Sequence, residues 1–224
     1  VEPFSDPRVR KAVRLAVDRQ KIVDLVYGGG AVVACDTPVE PNDQYRADLT
    51  CPQDIAQAKA LLAEAGFADG IDIDIHVSTL EPSWGNLAVV YQEQAAAAGI
   101  RVNVVQAPSD GYWNSIWMQK DVSATRWNER PADQALHEIY LSTAKWNESY
   151  YKDLAFDELL ATARRELDFD KRKALYVQAQ EHLLETAGTL IPVHVTKIVG
   201  VNTRVSNLDE VKREAIRWHL VEVD

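Results

Sequence analysis

The chain has 224 residues, of which 46% are hydrophobic and 26% charged, and 24 Lys and Arg residues against 34 Asp and Glu residues give a net charge of −10. These fractions are typical of a globular protein and exclude a chain that is disordered, collagen-like or a coiled coil throughout. The acidic charge disfavours binding to nucleic acid and to anionic membranes, and no stretch approaches the roughly 20 apolar residues of a membrane-spanning helix. Because the chain begins at Val1 without a methionine or a signal peptide, we expect a processed chain or an excised piece.

Hydrophobic periodicity predicts helices that alternate with strands in the first half of the chain. The predicted elements are a helix over 6–27 with a restart at Asp18, a long loop over 31–52, a helix from 53 to 66, a strand over 71–77, a helical stripe over 87–98 and a strand over 101–105. A strand, a helix and a strand within about 35 residues are typical of a right-handed βαβ unit.

The second half of the chain continues this alternation. Its predicted elements are a short helix over 112–119, a strand over 121–127, a helix over 156–167, a helix opened by Asp168 or Asp170 that includes Leu183, and a strand over 189–201. With no repeat, low-complexity run or linker between the halves, residues 1–224 predict one α/β domain with a mainly parallel sheet flanked by helices.

The two cysteines, Cys35 and Cys51, lie in the long loop among turn-forming residues. We favour a disulfide between them, since no other cysteine competes, and a disulfide would indicate an oxidising compartment. The alternatives are two reduced thiols in a cytosolic protein or, less favoured, a metal site, for which two thiols without a nearby histidine supply too few ligands.

Sequence motifs for catalysis are absent. The chain has neither the G-x-S-x-G of a serine hydrolase nor the H-E-x-x-H of a zinc enzyme, and the glycines at 28–30 fit neither a P-loop nor a dinucleotide-binding loop. Five histidines are scattered without ligand spacing. We therefore expect no enzyme activity, no metal and no cofactor, although a site assembled only in three dimensions would not be visible in the sequence.

An aromatic cluster in the second half of the chain is the strongest sign of a ligand site. Its aromatic members are Trp127, Tyr140, Trp146, Tyr150 and Tyr151, and its polar members are Asn128, Arg130, Asp133, Asn147 and Glu148. Flat apolar walls with a few hydrogen-bonding groups are typical of a small-molecule pocket, whereas any one tryptophan is more often a core residue. From this cluster we predict six ligand-binding residues: Trp127, Asn128, Arg130, Asp133, Trp146 and Asn147.

Arg130 has two interpretations. Its guanidinium follows a predicted strand and could bind a carboxylate of the ligand through two hydrogen bonds. Alternatively, it pairs within the chain with Glu129 or Asp133.

Several segments, in order along the chain, resemble the bacterial extracellular solute-binding proteins of family 5, the peptide and nickel type that serves ABC importers. The similar segments are PFSDPRVRKAV at 3–13, AVDRQKI at 16–22, AKALLAEAGF at 58–67, AGIRV at 98–102, FDELL at 156–160, RKALY at 172–176 and IPV at 191–193. Because members of the family are longer and have two lobes, the resemblance implies that residues 1–224 are a single lobe of the type II periplasmic binding protein fold, from the C-terminal part of such a protein.

The resemblance implies a function in transport. Such a protein binds a small solute in the cleft between its lobes and delivers it to the permease subunits of an ABC importer, in the periplasm or on a lipid anchor outside the cytoplasm. We expect a monomer that binds a peptide or a related solute and no nucleic acid. Nickel and haem, which some relatives bind, have no support in the ligand residues here.

One departure from the family's pattern bears on the solute. Peptide-binding relatives carry a W-x-x-D stretch whose aspartate faces the positive N-terminus of the ligand, and here the stretch Trp127-Asn128-Glu129-Arg130 ends in arginine. The departure favours a solute that presents a carboxylate, another anionic group or a polyol to Arg130, with Asp133 left to bind an amine. Lobes of this kind also occur as sensory domains of cytoplasmic transcription regulators, and that alternative function predicts free thiols at Cys35 and Cys51.

Overall fold

The structure is a computed structural model and describes residues 2–198, 200–207, 219 and 221–223. The helices of this part of the chain are α1 (Pro7–Leu15), α2 (Arg19–Tyr27), α3 (Ile55–Glu64), α4 (Ser83–Ala96), α5 (Tyr112–Ser115), α6 (Ala132–Tyr140), α7 (Leu154–Arg165) and α8 (Phe169–Thr186). The strands are β1 (Ala31–Val33), β2 (Ile71–Ser78), β3 (Ile100–Ala107), β4 (Val193–Val195), β5 (Val205–Ser206) and β6 (Glu222–Val223).

The first two helices are confirmed, including the restart between them. Asp6 caps α1 by accepting a hydrogen bond from the backbone N–H of Arg8 at 2.8 Å. Asp18 caps α2 in the same way, through the N–H of Lys21 at 3.1 Å. Gly28 ends α2 with a φ of +56°, a left-handed conformation that glycine adopts at little cost.

Strands β2 and β3 pair in parallel, from Ile71 opposite Ile100 to Ser78 opposite Ala107, and α4 makes the crossover between them. The residues of β2 alternate, with Ile71 and Ile73 buried and the intervening Asp72 exposed. The predicted βαβ unit is therefore confirmed. It brings the carboxyl ends of both strands to one edge, next to the groove described below.

The other pairings differ from the expected, mainly parallel sheet. The predicted strand over 121–127 contributes only one isolated parallel bridge, between His76 and Ser123. Strand β1, inside the predicted loop over 31–52, pairs antiparallel with β4, and β5 pairs antiparallel with β6. The α/β character is confirmed, but in the described part of the chain the parallel sheet has only the two strands β2 and β3. Strands β1 and β4 come from distant parts of the chain and pair antiparallel with each other.

Two large hydrophobic cores and a smaller third cluster, around Trp84 and Tyr112, form the interior of the described part of the chain. The first packs α1 to α4 against β2 and β3 around Ile22, Leu62 and Tyr91. The second packs α6, α7 and α8 around Leu136 and Phe156. Helix α6 was not predicted, although its buried alanines and leucine recur at helical spacing.

Contacts between α1 and the end of α8 hold the two cores together. The guanidinium of Arg14 donates to the carbonyl of Leu183 at 3.2 Å, and that of Arg10 donates to the carbonyl of Thr186 at 3.1 Å. These carbonyls belong to the last turn of α8, where arginine donors are favourable. The two cores therefore form one body with a groove between them.

Cys35 and Cys51 form a disulfide, with 5.4 Å between their Cα atoms. The bridge closes the segment that follows β1, and the segment is held at its far end by a hydrogen bond from the N–H of Asp54 to the carbonyl of Leu15 at 2.9 Å. A long loop needs such ties to keep one conformation. Residues 34–37 around Cys35 are buried, whereas Thr50 and Pro52 beside Cys51 are exposed, so the bridge ties an exposed part of the loop to a buried part.

Candidate functional site

An open groove with a volume of about 1280 Å³ runs between the two cores. It is lined by the inward face of β2, the first turns of α4, and residues 118–129, 148–153 and 186–195. The apolar lining includes the aromatic side chains of Tyr27, Trp84, Tyr91, Trp127, Tyr150 and Tyr151. A concave surface of this composition suits a small solute with both apolar and polar parts.

Trp127 and Glu148 form the polar centre of this lining. The indole N–H of Trp127 donates to Oε1 of Glu148 at 3.1 Å, and that of Trp117 donates to Oε2 at 2.5 Å. Burial raises the pKa of the Glu148 carboxyl, and the hydrogen bonds from Trp117, Trp127 and Thr125 act in the opposite direction. Two aromatic donors thus fix a carboxylate at the wall of the groove.

Glu148 was not among the six predicted site residues. It lies in the aromatic stretch between Trp146 and Tyr150, which is the signal that could have identified it. Sequence alone could not show that Trp117, 31 positions earlier, donates to the same carboxylate. The missed information is therefore a contact between distant segments.

Asn128 also lines the groove, and its side-chain oxygen accepts a hydrogen bond from the guanidinium of Arg126 at 3.1 Å. Arg126 faces Glu81 across 3.7 Å, at the start of the turn that leads into α4. These exposed side chains form a polar rim above the aromatic floor. Of the six predicted residues, Trp127 and Asn128 therefore lie in the groove lining.

Arg130 lies behind Trp127 instead of in the groove. Its guanidinium donates to Glu138 of α6 at 2.7 Å and to the carbonyl of Asn128 at 2.9 Å, and its Cζ atom lies 5.0 Å from the centre of the Trp127 ring. The internal partner is Glu138, and neither Glu129 nor Asp133 takes that position. The cause is α6, which places Glu138 toward Arg130.

Asp133, at the start of α6, faces α7 and α8, away from the groove. Its carboxylate accepts hydrogen bonds from Arg164 at 2.9 Å and from the hydroxyl of Tyr176 at 2.6 Å, and it lies 3.2 Å from the ring of His137. Burial raises the pKa of this carboxyl, but the hydrogen bonds from His137, Arg164 and Tyr176 outweigh burial and leave the pKa well below its usual range. This arrangement stabilises the packing of the helices.

Trp146 and Asn147 directly precede Glu148 in the chain, and neither lines the groove. The ring of Trp146 packs 6.1 Å from that of Trp127, and its side chain remains 41% exposed. Asn147 is buried, donates to the carbonyl of Tyr151 at 2.6 Å and accepts from the N–H of Tyr151 at 2.9 Å. Asn147 therefore fixes the turn that carries Glu148, and Trp146 supports the indole of Trp127.

Residues 2–198 and the other described positions offer neither a metal cluster nor a membrane-spanning helix. No group of three or more histidine, cysteine, aspartate or glutamate side chains is placed to hold a metal ion there. No helix in this part of the chain combines the length and the apolar character needed to cross a membrane.

The chain is similar to known solute-binding proteins in both sequence and structure. It is 32% identical to the di/tripeptide-binding protein 2 of Pseudomonas aeruginosa over 197 residues, which cover 80% of this chain and 36% of the relative. It is 28% identical to the glutathione-binding protein GsiB of Salmonella typhi, over 91% of this chain and 42% of the relative. The structure of the periplasmic binding protein DppA from Helicobacter pylori, in complex with the peptide STSA, superimposes with a TM-score of 0.81 at 23% identity, over 100% of this chain and 45% of that one.

The structural neighbour has the same fold as the chain. The chain spans about two fifths of the length of the curated relatives that it matches. The match to the family described as bacterial extracellular solute-binding proteins, family 5 Middle, covers residues 1–156 and therefore includes both the βαβ unit and the groove-lining segment at 118–129. The chain belongs to the bacterial extracellular solute-binding proteins of family 5.

Proposed function

We propose that residues 1–224 are one lobe, from the C-terminal part of a longer two-lobe binding protein, and that the groove is this lobe's half of the solute site. The observation that carries the proposal is the groove itself, which is open to solvent and lined by aromatic rings with a fixed carboxylate at its centre. A second lobe closing over it would exclude water from this surface. Affinity would then come from contacts made only in the closed state.

The solute that we propose is a small peptide. The relatives reported above are named for di- and tripeptides and for glutathione, and the structural neighbour holds a four-residue peptide. Aromatic walls with hydrogen-bonding groups at the rim suit a ligand whose backbone is polar and whose side chains vary. Trp127 and Asn128 are the predicted contacts that lie in the groove, and contacts from Arg130, Asp133, Trp146 and Asn147 stay predictions.

The role in the cell that we propose is that of the binding component of an ABC importer. The protein would capture the peptide outside the cytoplasm, in the periplasm or on a lipid anchor, and deliver it to the permease subunits as a monomer. This role requires no catalysis and no contact with nucleic acid. Neither the groove nor the relatives support the alternative of a sensory domain in a cytoplasmic regulator.

A thermal-shift screen of the full-length protein tests this function. The panel would contain dipeptides, tripeptides, glutathione, a monosaccharide and a nickel salt. A peptide at about 100 times its dissociation constant should add roughly 2.7 kcal/mol to the free energy of unfolding, enough for a clear rise in melting temperature. Stabilisation by the sugar or by nickel, with no response to any peptide, would contradict the proposal.

A further inference from the structure

The charge of Glu148 is not compensated within the chain. Its two carboxylate oxygens accept hydrogen bonds from the indoles of Trp117 and Trp127, which are neutral donors. No lysine, arginine or histidine forms an ion pair with it in the described part of the chain. Neutral donors orient a carboxylate, but they do not neutralise its charge.

Two other carboxylates of the groove lining each have a basic side chain beside them. Glu81 lies 3.7 Å from Arg126, and Asp153 lies 2.7 Å from the ring of His182. The contrast matters because a partly buried carboxylate without a counter-charge costs free energy in the unliganded protein. Such a cost is recovered when a ligand supplies the missing positive charge.

The geometry leaves room for such a ligand. A carboxylate has about four acceptor positions, and the indoles of Trp117 and Trp127 and the hydroxyl of Thr125, all neutral donors, occupy three of them on Glu148, which leaves about one for a ligand. Glu148 lines the groove, so the remaining position can be reached from the solute side. The indole bonds also fix the side chain in advance, which lowers the entropy cost of binding.

We propose that Glu148 is the specificity-determining residue of the groove and binds a protonated primary amine of the solute. The inference rests on the proposed function and refines it, because it names the charged group that the peptide must present. The amine is either the α-amino group of the peptide or the ε-amino group of a lysine side chain. Both sources offer the same ammonium chemistry to the carboxylate.

Isothermal titration of the full-length protein with a set of matched peptides tests the proposal. The set would contain Ala-Ala, N-acetyl-Ala-Ala, Lys-Ala and N-acetyl-Lys-Ala. If the bound amine is the α-amino group, acetylation of Ala-Ala should weaken binding to the wild type about tenfold or more, since it removes one partner of a desolvated charge pair. If N-acetyl-Lys-Ala keeps its affinity, the bound amine is that of the side chain, and if it loses affinity, the bound amine is the α-amino group.

The variant Glu148→Gln then assigns the effect to one residue. It should bind Ala-Ala, or N-acetyl-Lys-Ala if the side chain is the source, about tenfold or more weakly than the wild type, yet bind N-acetyl-Ala-Ala with unchanged affinity. The matched control is Glu158→Gln, which removes an exposed carboxylate of α7 outside the groove and should leave all affinities unchanged.

Three outcomes would overturn the proposal. If Glu148→Gln loses the same affinity for free and for acetylated peptides, Glu148 only positions Trp117 and Trp127 and does not bind the amine. Wild-type affinity of Glu148→Gln for every peptide would remove Glu148 from recognition while leaving the peptide-binding function intact. A wild-type protein that binds none of the peptides would overturn the proposed function and, with it, this inference.

Discussion

Arg19 and Asp36 form a buried ion pair, with 2.6 Å between Nη2 and Oδ2 and with side chains that are only 3% and 2% exposed. The second oxygen of Asp36 accepts a hydrogen bond from the N–H of Ile191 at 2.9 Å, and Arg19 also donates to the carbonyl of Cys51 at 3.0 Å. The pair therefore joins the start of α2, the disulfide-closed segment and the approach to β4. Ile191 and Pro192, which lead into β4, line the groove.

We expect Asp36→Asn to destabilise the protein strongly. Asparagine fits the same space and tolerates the φ of +59° at this position, so the substitution mainly removes the charge. Leaving Arg19 buried without its partner should lower the free energy of unfolding by about 3–5 kcal/mol. Urea denaturation of the full-length protein, followed by circular dichroism, measures this change.

The matched control is Asp72→Asn, which breaks an exposed pair between β2 and β3. Arg101 donates to Asp72 at 2.7 Å, but the side chains are 54% and 77% exposed. Screening by water should make the cost of this substitution far smaller than that of Asp36→Asn. Equal losses in the two variants would show that the Arg19–Asp36 pair stabilises the protein no more than a surface pair does.

The disulfide between Cys35 and Cys51 leads to a second prediction. Because it closes a loop with a sequence separation of 16, replacing both cysteines by serine should lower the free energy of unfolding by roughly 3 kcal/mol. Dithiothreitol should destabilise the wild type by a similar amount and leave the double variant unchanged. Mass spectrometry of material from the native compartment should find the two cysteines linked, and free thiols there would contradict export from the cytoplasm.

The sequence predicts the local elements of this fold well, since their causes are local. Asp6 and Asp18 cap the first two helices, so the predicted restart at Asp18 has a local cause, and the strict alternation over 71–77 predicts strand β2. Strand β1 was missed because its partner β4 is far along the chain and no local pattern marks the pairing. Helix α6 was missed although its spacing of buried residues was available.

The candidate site was harder to predict than the fold. Part of the aromatic stretch lies at the groove, and Trp127 and Asn128 line it. Composition could not show that Arg130 and Asp133 are held by Glu138 and Arg164. Those partners are brought together by the packing of α6 against its neighbours, which a single sequence does not specify.

A third prediction concerns pH and His194, which lines the groove. Burial and the neighbouring guanidinium of Arg46 lower the pKa of His194 from 6.5 to about 4. Since the unfolded chain takes up a proton that the folded chain does not, stability is fully present above pH 6.5 and declines as the pH falls toward 4. The contribution at stake is roughly 3 kcal/mol.

The variant His194→Gln isolates this contribution. Its amide oxygen can still accept from Arg46, whose Nη1 lies 2.9 Å from Nε2 of His194. The wild type should therefore lose stability relative to the variant as the pH falls from 6.5 toward 4. Above this window, the difference in unfolding free energy between the two proteins should not change with pH. A difference that does not change with pH would show that His194 titrates alike in the folded and unfolded chains.

The last prediction concerns Arg130, whose guanidinium covers one face of Trp127 at 5.0 Å from the ring centre. Arg130→Ala should weaken peptide binding by the full-length protein, because it frees the ring that both lines the groove and donates to Glu148. A cation–π contact at a partly exposed site is worth about 0.5–2 kcal/mol, so we expect a loss of about two- to thirtyfold in affinity. Isothermal titration calorimetry measures this loss.

Fold stability separates this effect from general damage. The Arg130–Glu138 pair is partly exposed, with side chains at 24% and 28%, so its loss should cost no more than about 1 kcal/mol. The control is Arg165→Ala, which breaks an exposed pair with Glu158 on α7 and should leave affinity unchanged. If Arg130→Ala binds peptide as tightly as the wild type, Trp127 keeps its position without the guanidinium, and Arg130 has no part in the site.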